Sequence, residues 1–360
     1  GSPRPIKDYI TTDEDGINWI KIGDTDPSGK YIYTTSEKIK PAGLKKSRYV
    51  EAGDFLLSNS MSFGRPYVLQ TNGCIHDGWL VLKNYQKSLY LDFFYYLLLS
   101  PNVQKQFEIE AKGSTVRNLN TEIVSNINVS YPPLEEQKRI VKILDEKFAQ
   151  LETIKANAQT NLQNAKDLFQ SQLTKAFSNT TWEKKKVSEI SENLDSKRIP
   201  ITKNVRKTGQ YPYYGASGIV DYVEDYIFDG KFLLVSEDGA NLLARTYPIA
   251  FIAEGKFWVN NHAHILSFKD EITMKFVELF FSNLDISPYV TGMAQPKFNQ
   301  ASLNNIEVPL PPLPEQKRIV KELDTLSEKV RQLQEIYTKQ IADCDELKQS
   351  LLQKAFEGEL

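Results

Sequence analysis

The stretch Pro132-Pro133-Leu134-Glu135-Glu136-Gln137-Lys138-Arg139-Ile140-Val141-Lys142-Ile143-Leu144-Asp145 returns 179 residues later as Pro311-Pro312-Leu313-Pro314-Glu315-Gln316-Lys317-Arg318-Ile319-Val320-Lys321-Glu322-Leu323-Asp324, with twelve of fourteen positions identical. The same offset aligns Leu173, Lys175, Ala176 and Phe177 with Leu352, Lys354, Ala355 and Phe356. It also aligns Gly113, Asn120, Asn126, Ile127 and Val129 with Gly292, Asn299, Asn305, Ile306 and Val308. A single ungapped register held that long marks a tandem duplication, so whatever one half folds into, the other repeats.

Each copy ends in a long helix. The Pro-Pro pair cannot lie inside a helix, and the Glu residues behind it suit a first turn, where carboxylates meet the helix dipole. Apolar positions then follow at intervals of mostly four and three: Leu144, Phe148, Leu151, Ala158, Leu162, Ala165 and Phe169 in the first copy, Leu323, Leu326, Val330, Leu333, Tyr337, Cys344, Leu347 and Leu351 in the second. This heptad spacing predicts two apolar seams that pair as an antiparallel coiled coil. No Gly or Pro interrupts residues 135–176, which predicts a helix roughly 60 Å long at 1.5 Å per residue.

The parts ahead of these helices are of another kind. Short β-branched or aromatic runs, such as residues 54–58 and 231–235, alternate with Gly, Asn and Pro, and each part holds one apolar helical stretch, near 91–99 and 274–281. The expected fold class is α+β: two globular α/β heads separated by two long antiparallel coiled-coil helices, in a pseudo-twofold duplication. The divisions are 1–131, 132–178, 179–310 and 311–360. Chance aside, heads that diverge on a duplicated scaffold do similar jobs on different targets. With 41% hydrophobic and 11% aromatic residues the chain has ample core-forming surface, and its longest apolar run is too short for a membrane span. Two distant cysteines, Cys74 and Cys344, make no disulfide framework, which suits a cytoplasmic protein.

Motifs for catalysis fail on inspection. Residues 23–30 mimic a phosphate loop, but the glycine spacing is one residue too long and Tyr31 stands where Ser or Thr would hold magnesium. The Glu-x-Lys triplets at 136–138 and 315–317 have nuclease spacing yet open helices. His262 and His264, like Cys74 and His76, have strand-face ligand spacing without a third ligand nearby in sequence. The expectation is a chain without a catalytic, metal or cofactor site of its own.

Surface chemistry suited to DNA remains. Residues 38–48 hold five cations and no acid, and residues 184–207 hold eight basic against three acidic side chains. Loops at 58–67, 213–218 and 236–241 combine amide, hydroxyl and guanidinium groups of the kind that read base edges. The candidate DNA contacts are Lys45, Lys46, Arg48, Asn59, Ser60, Ser62, Arg65 and Tyr67 in the first head, and Lys197, Arg198, Tyr214, Ser217, Asn241, Arg245 and Lys297 in the second.

The doubled Pro-Pro-Leu-x-Glu-Gln-x-x-Ile element, the paired Lys-Ala-Phe helix ends, and the stretches Trp19-Ile20-Lys21-Ile22-Gly23-Asp24 and Pro212-Tyr213-Tyr214-Gly215-Ala216 resemble the specificity subunit of type I restriction-modification enzymes. The resemblance covers essentially the whole chain. It implies two target-recognition domains, each reading one half of a bipartite double-stranded DNA site, and a helical ruler whose four-residue extension near Gln159 would shift the spacer. It further implies two modification subunits that bring S-adenosylmethionine and methylate adenine, and restriction subunits that use ATP and magnesium. The second head has a lead-in, residues 182–190, that the first lacks, so the first head is expected to begin with native residues missing. The formal net charge of −2 fits a subunit that binds DNA weakly alone. Two alternatives are a coiled-coil scaffold with protein-binding heads and a nuclease built on the Glu-x-Lys triplets.

Overall fold

The computed structural model describes residues 9–26, 29–59, 63–83, 88–111, 118–179, 181–292 and 295–360. The first head comprises β1 (Ile10–Thr11), β2 (Ile17–Ile20), β3 (Tyr31–Ile32), β4 (Glu37–Ile39), β5 (Arg48–Val50), β6 (Phe55–Ser58), β7 (Pro66–Leu69), β8 (Gly73–Ile75) and β9 (Trp79–Leu82), then α1 (Leu91–Leu99), α2 (Pro101–Glu110) and α3 (Thr121–Ser125). The long helix α4 is Leu134–Ala176. The second head has β10 (Lys184–Lys186), α5 (Val187–Ile190), β11 (Glu192–Asn193), β12 (Thr208–Gly215), β13 (Gly218–Val223), β14 (Phe228–Ser236), α6 (Asn241–Ala244), β15 (Ala250–Val259), β16 (Ala263–Ser267), α7 (Glu271–Asn283), α8 (Gln300–Asn304) and β17 (Glu307–Pro309). The second long helix, α9, is Leu313–Glu357. Among the described residues no helix is long and apolar enough to cross a membrane.

The compact units do not divide at the ends of the heads. One is residues 1–159 with 339–360, the other residues 160–338, so each long helix contributes a segment to both. The expected divisions at 131, 178 and 310 follow the sequence blocks instead. The reason lies in burial: a head's apolar helix needs cover, and both long helices supply it.

In the first unit, α1 and α2 pack Phe93, Tyr96 and Phe107 with Leu144, Phe148 and Leu151 of α4 and Cys344, Leu352 and Ala355 of α9. Lys155 pairs with Asp345 (2.6 Å) and Lys348 with Glu152 (2.8 Å), so the two helix segments run antiparallel. A second core lies between the sheets β1-β4-β2-β8-β5 and β3-β7-β6-β9, filled by Ile20, Leu56, Tyr67 and Trp79.

In the second unit, α7 carries Phe276, Val277 and Phe281 onto Leu173 of α4 and Ile319, Val320 and Leu323 of α9. Phe169 packs at the edge of this core. The six-stranded sheet runs β11-β16-β14-β15-β12-β13, and β10 pairs only with β17.

The seam departs from the heptad expectation in α9. Val330 is buried, Leu162, Leu326, Tyr337 and Leu351 are half-buried, but Leu333 and Leu347 are 36% and 49% exposed. The sheltered positions step through Tyr337, Ile341, Cys344, Lys348, Leu352 and Ala355, which follows the 3.6-residue repeat of a straight helix. Leu333 and Leu347 rotate out of that stripe.

The repeated Glu-Gln-Lys triplet has a structural role. Gln137 is buried, and its Nε2 donates to the Pro132 carbonyl (2.8 Å) and the Ser88 carbonyl (3.2 Å) while its Oε1 accepts from the Tyr90 N–H (2.8 Å). Gln316 makes the same local bond to the Pro311 carbonyl, at 2.8 Å. Each glutamine thus fastens the Pro-Pro entry to the first turn of its helix. The flanking Glu136 and Glu315 lie in bidentate pairs with Arg139 and Arg318, which hold both carboxyls below their usual range.

Candidate nucleic-acid interface

The heads share a frame that their sequences conceal. In the first, β6 pairs antiparallel with β7 and β9, and β7 pairs parallel with β3. In the second, β14 pairs antiparallel with β15 and β16, and β15 pairs parallel with β12. Each central strand ends on a fully buried serine, Ser58 or Ser236.

Three backbone bonds at that point are the same in both heads. Ser58 N–H donates to the Arg65 carbonyl (3.0 Å), Asn59 N–H to Gly78 (3.1 Å), and Leu119 N–H to Asn59 (2.9 Å). Their counterparts are Ser236 to Ile249 (2.7 Å), Glu237 to His262 (2.9 Å) and Phe298 to Glu237 (2.7 Å). Asn120 and Asn299 then cap α3 and α8 with side chains that accept from Ile123 N–H and Ser302 N–H. Three segments therefore converge on one end of each sheet: the loop after the central strand, the entry to β9 or β16, and the entry to α3 or α8. What differs is the loop. The chain between the two strands runs from 59 to 65 in the first head, where residues 60–62 lie outside the described residues, and from 237 to 249 in the second.

In the second head these segments enclose a charged network. His264 Nδ1 lies 2.5 Å from Asp195 Oδ2, and its Nε2 lies 2.8 Å from the Phe298 carbonyl. Arg198 Nη1 donates to Glu237 (2.7 Å) and to the Ala263 carbonyl (2.9 Å), with Nη2 3.5 Å from Asp195. Burial pushes the Asp195 carboxyl up, but His264, the Ile265 N–H and Arg198 outweigh it and hold the group below its usual value. Asp195, Glu237 and His264 lie close enough to bracket a cation, which supplies in space the partners that His264 lacks in sequence. The Arg198 guanidinium already stands between the two carboxylates, so the geometry is that of a hydrogen-bonded ion-pair cluster.

Polar groups hang outward from this cluster. His262 Nδ1 lies 2.9 Å from Asp238 and is 49% exposed on its side chain, and Lys297, 56% exposed, reaches toward Glu237 at 3.5 Å. The Ser236 hydroxyl donates to the Ala216 carbonyl and so fastens the turn bearing exposed Ser217. Exposed Lys197 ends the adjoining 3-10 turn. Lys197, Ser217, Asp238, His262 and Lys297 are thus gathered on one rim by a rigid base.

Several expected contacts are bonded within the fold. Arg198 is spent in the cluster. Arg245 adopts a left-handed backbone (φ 52°) and donates to the carbonyls of Phe281 (3.0 Å) and Leu284, at the end of α7. Asn241 bonds both the N–H and the carbonyl of Tyr247, closing its own loop. Tyr214 packs edge-on against Phe257. The basic run at 184–207 is dispersed: Lys184 meets Glu307, Lys186 meets Asn305, and Arg206 meets Asp221.

In the first head, Asn59 sits at the frame and its amide donates to the Asp77 carbonyl (2.8 Å). Ser60 and Ser62 lie outside the described residues. Tyr67 is 1% exposed, edge-on to Trp79 in the core. Arg65 turns inward, with Nη2 3.3 Å from the Gly29 carbonyl and its guanidinium over the Tyr67 ring. Gly64 makes that turn possible: its φ is +69°, and a Cβ there would meet Phe107 at 3.0 Å. Lys45, Lys46 and Arg48 are exposed, but on the five-stranded sheet side of the head rather than at the frame. Asp238 and His262 were not among the expected contacts; the only sequence signal for them is the paired His262-x-His264 beside an acidic loop.

Comparison with known proteins agrees with the doubled frame. A family model described as the type I restriction modification DNA specificity domain matches residues 1–163 and again 179–340. A putative type I restriction enzyme specificity subunit of Haemophilus influenzae is 37% identical over 155 residues, 43% of this chain and 40% of that protein. The MjaVIII specificity subunit of Methanocaldococcus jannaschii is 23% identical over an alignment covering 94% of this chain and 88% of the relative. Among solved structures, a chain from a study of complex assembly and conformational transition in a type I system superposes with TM-score 0.80 at 19% identity, covering 96% and 92% of the two chains. The HsdS subunit of Thermoanaerobacter tengcongensis superposes with TM-score 0.63 at 18% identity, covering 96% and 91%.

Proposed function

The chain belongs to the family of type I restriction-modification DNA specificity domains, whose role is DNA sequence recognition in a type I complex, and we propose that it reads a two-part target, one head to each half. The observation that carries this reading is the frame of Ser58-Asn59 and Ser236-Glu237: identical backbone bonds beneath loops of unequal length. A fixed frame holds side chains in place for base-edge readout, and unequal loops give each head its own sequence. In the second head, Lys197 and Lys297 supply phosphate contacts, while Ser217, Asp238 and His262 meet base edges.

The chain itself supplies no chemistry in this reading. Two modification subunits bring S-adenosylmethionine to an adenine in each half-site, and restriction subunits bring ATP and magnesium. Support for a paired attachment comes from Leu168 and Leu347, which hold the same repeat position and are both about half exposed. Near-neutral charge makes the partners the main source of phosphate neutralisation. The deciding experiment expresses the full chain with its modification subunits and maps methylated adenines. A two-part motif is expected, and exchanging residues 237–249 for a relative's loop should change one half only. No motif, or simultaneous change of both halves, would sink the reading and favour a protein-binding scaffold.

A further inference from the structure

In the first head the chain between β3 and β6, residues 33–54, carries five basic and three acidic side chains. The equivalent chain of the second head, residues 216–227 between β12 and β14, carries three acids and no cation. The heads share their frame but not this charge. Two of the three acids in the first head are paired elsewhere, Glu37 with Lys21 (2.7 Å) and Asp54 with Lys83 (3.3 Å). Lys38 turns to the Glu14 carbonyl (3.1 Å). Lys40, Lys45, Lys46 and Arg48 are all exposed.

These four cations stand on a fastened element. Residues Pro41–Lys46 form a 3-10 turn between β4 and β5. Lys40 N–H donates to the Tyr9 carbonyl (2.8 Å), Gly43 N–H to the Lys40 carbonyl (2.8 Å) and Ser47 N–H to the Leu44 carbonyl (3.1 Å). Gly43 is buried, and a Cβ there would come within 3.3 Å of Ile39 and 3.4 Å of Tyr9, so the turn rests directly on its sheet. The Lys46 ammonium lies 5.1 Å from the Tyr9 ring centre. Arg48 opens β5, the edge strand.

The spacing suits a nucleic-acid backbone. In the sheet order β1-β4-β2-β8-β5 the turn crosses from β4 to β5, three strand spacings or about 14 Å. A DNA strand carries one phosphate per roughly 3.4 Å of axis, so a row of that length faces about four phosphates. The acids Asp13, Glu14 and Asp15 lie in the β1–β2 connection, beside β4 rather than β5. A lysine ammonium meets a phosphate as a point charge, which holds the duplex without reading its bases.

We propose that this basic turn is a second DNA contact, particular to the first head, that grips the phosphate backbone beside the first half-site whatever its sequence. The proposal rests on the DNA-recognition reading and adds a site away from the reading loops. The test measures the affinity of the full chain, with its modification subunits, for a duplex bearing its target across a series of salt concentrations. Lys45→Gln, Lys46→Gln and Arg48→Gln together should lower the slope of log affinity against log salt by about 2–3, at roughly 0.9 per lost phosphate contact. Lys45→Arg, Lys46→Arg and Arg48→Lys together should keep the slope. Discrimination against altered bases in either half-site should be the same in all three proteins. Methylphosphonate linkages, which remove the phosphate charge, should weaken the wild-type complex when placed beside the first half-site and leave the neutral variant unaffected. Beside the second half-site they should weaken both alike. An unchanged slope in the neutral variant, an equal loss in the conservative one, altered base discrimination, or equal sensitivity of wild type and neutral variant to linkages beside the first half-site would each overturn the proposal. Failure of the recognition reading is distinct, because the wild-type chain would then direct methylation to no two-part motif.

Discussion

Asn59 and Glu237 occupy the same place in the two heads: the carbonyl of each accepts from a residue of the repeat, Leu119 in one case and Phe298 in the other, and those donors are 179 residues apart. The side chains immediately beyond them are therefore presented from equivalent backbone. In the second head Asp238 and His262 pair on that base, with the His262 side chain about half exposed. Replacing both with Ala should relax discrimination at the second half-site by about 1–3 kcal/mol, or roughly 5- to 150-fold. Discrimination at the first half-site should be unchanged. Methylation of oligonucleotide duplexes altered in one half at a time measures both.

Gln137 makes three hydrogen bonds from a fully buried amide, two of them to the Ser88 and Pro132 carbonyls. Gln137→Leu keeps the volume but leaves the Tyr90 N–H and the Ser88 and Pro132 carbonyls without it. A cost of about 1–3 kcal/mol is expected for stranding such groups. Gln316→Leu should cost less, because only the Pro311 bond is made and its Oε1 is already unpaired. Denaturant unfolding of the two single variants gives the order directly.

The repeat, the two long helices and the apolar helices α1 and α7 were legible because each rests on local periodicity or on identity between copies. The heads were legible only as α+β. Their common sheet is set by long-range pairings such as Leu56 with Tyr67 and Leu234 with Phe251, which leave no trace in spacing. Residue type says least about the role of an arginine. Arg65, Arg198 and Arg245 have the chemistry of DNA ligands, yet each also finds carbonyls or carboxylates inside its own head. A planar five-donor group serves buried acceptors as well as it serves bases.

The Asp195–His264 pair makes the second head acid-sensitive. Because the folded Asp195 carboxyl titrates below its ordinary 3.8, its contribution is fully present above that value and is lost as pH falls through the lower folded one. Asp195→Asn should destabilise the head at neutral pH by about 3–5 kcal/mol, the usual effect of breaking a buried pair. The difference between variant and wild type should shrink in strong acid. Hydrogen exchange at the Ile265 amide, which donates to Asp195 Oδ1 at 2.9 Å, reports the change locally.

Arg245 is the one described non-glycine residue with positive φ, and the backbone strain and the side-chain bonds can be separated there. Burial lowers its tendency to stay charged, so the carbonyls of Phe281 and Leu284 that it meets must compensate. Arg245→Ala keeps the left-handed backbone and removes both bonds. Arg245→Gly removes the bonds and relieves the strain. Both should be less stable than wild type, with Gly the milder by about 1 kcal/mol, since glycine enters this region without a Cβ penalty. If Gly proved as damaging as Ala, the left-handed conformation would carry no cost and the bonds alone would account for the arginine. Thermal unfolding of the three proteins side by side decides between these outcomes.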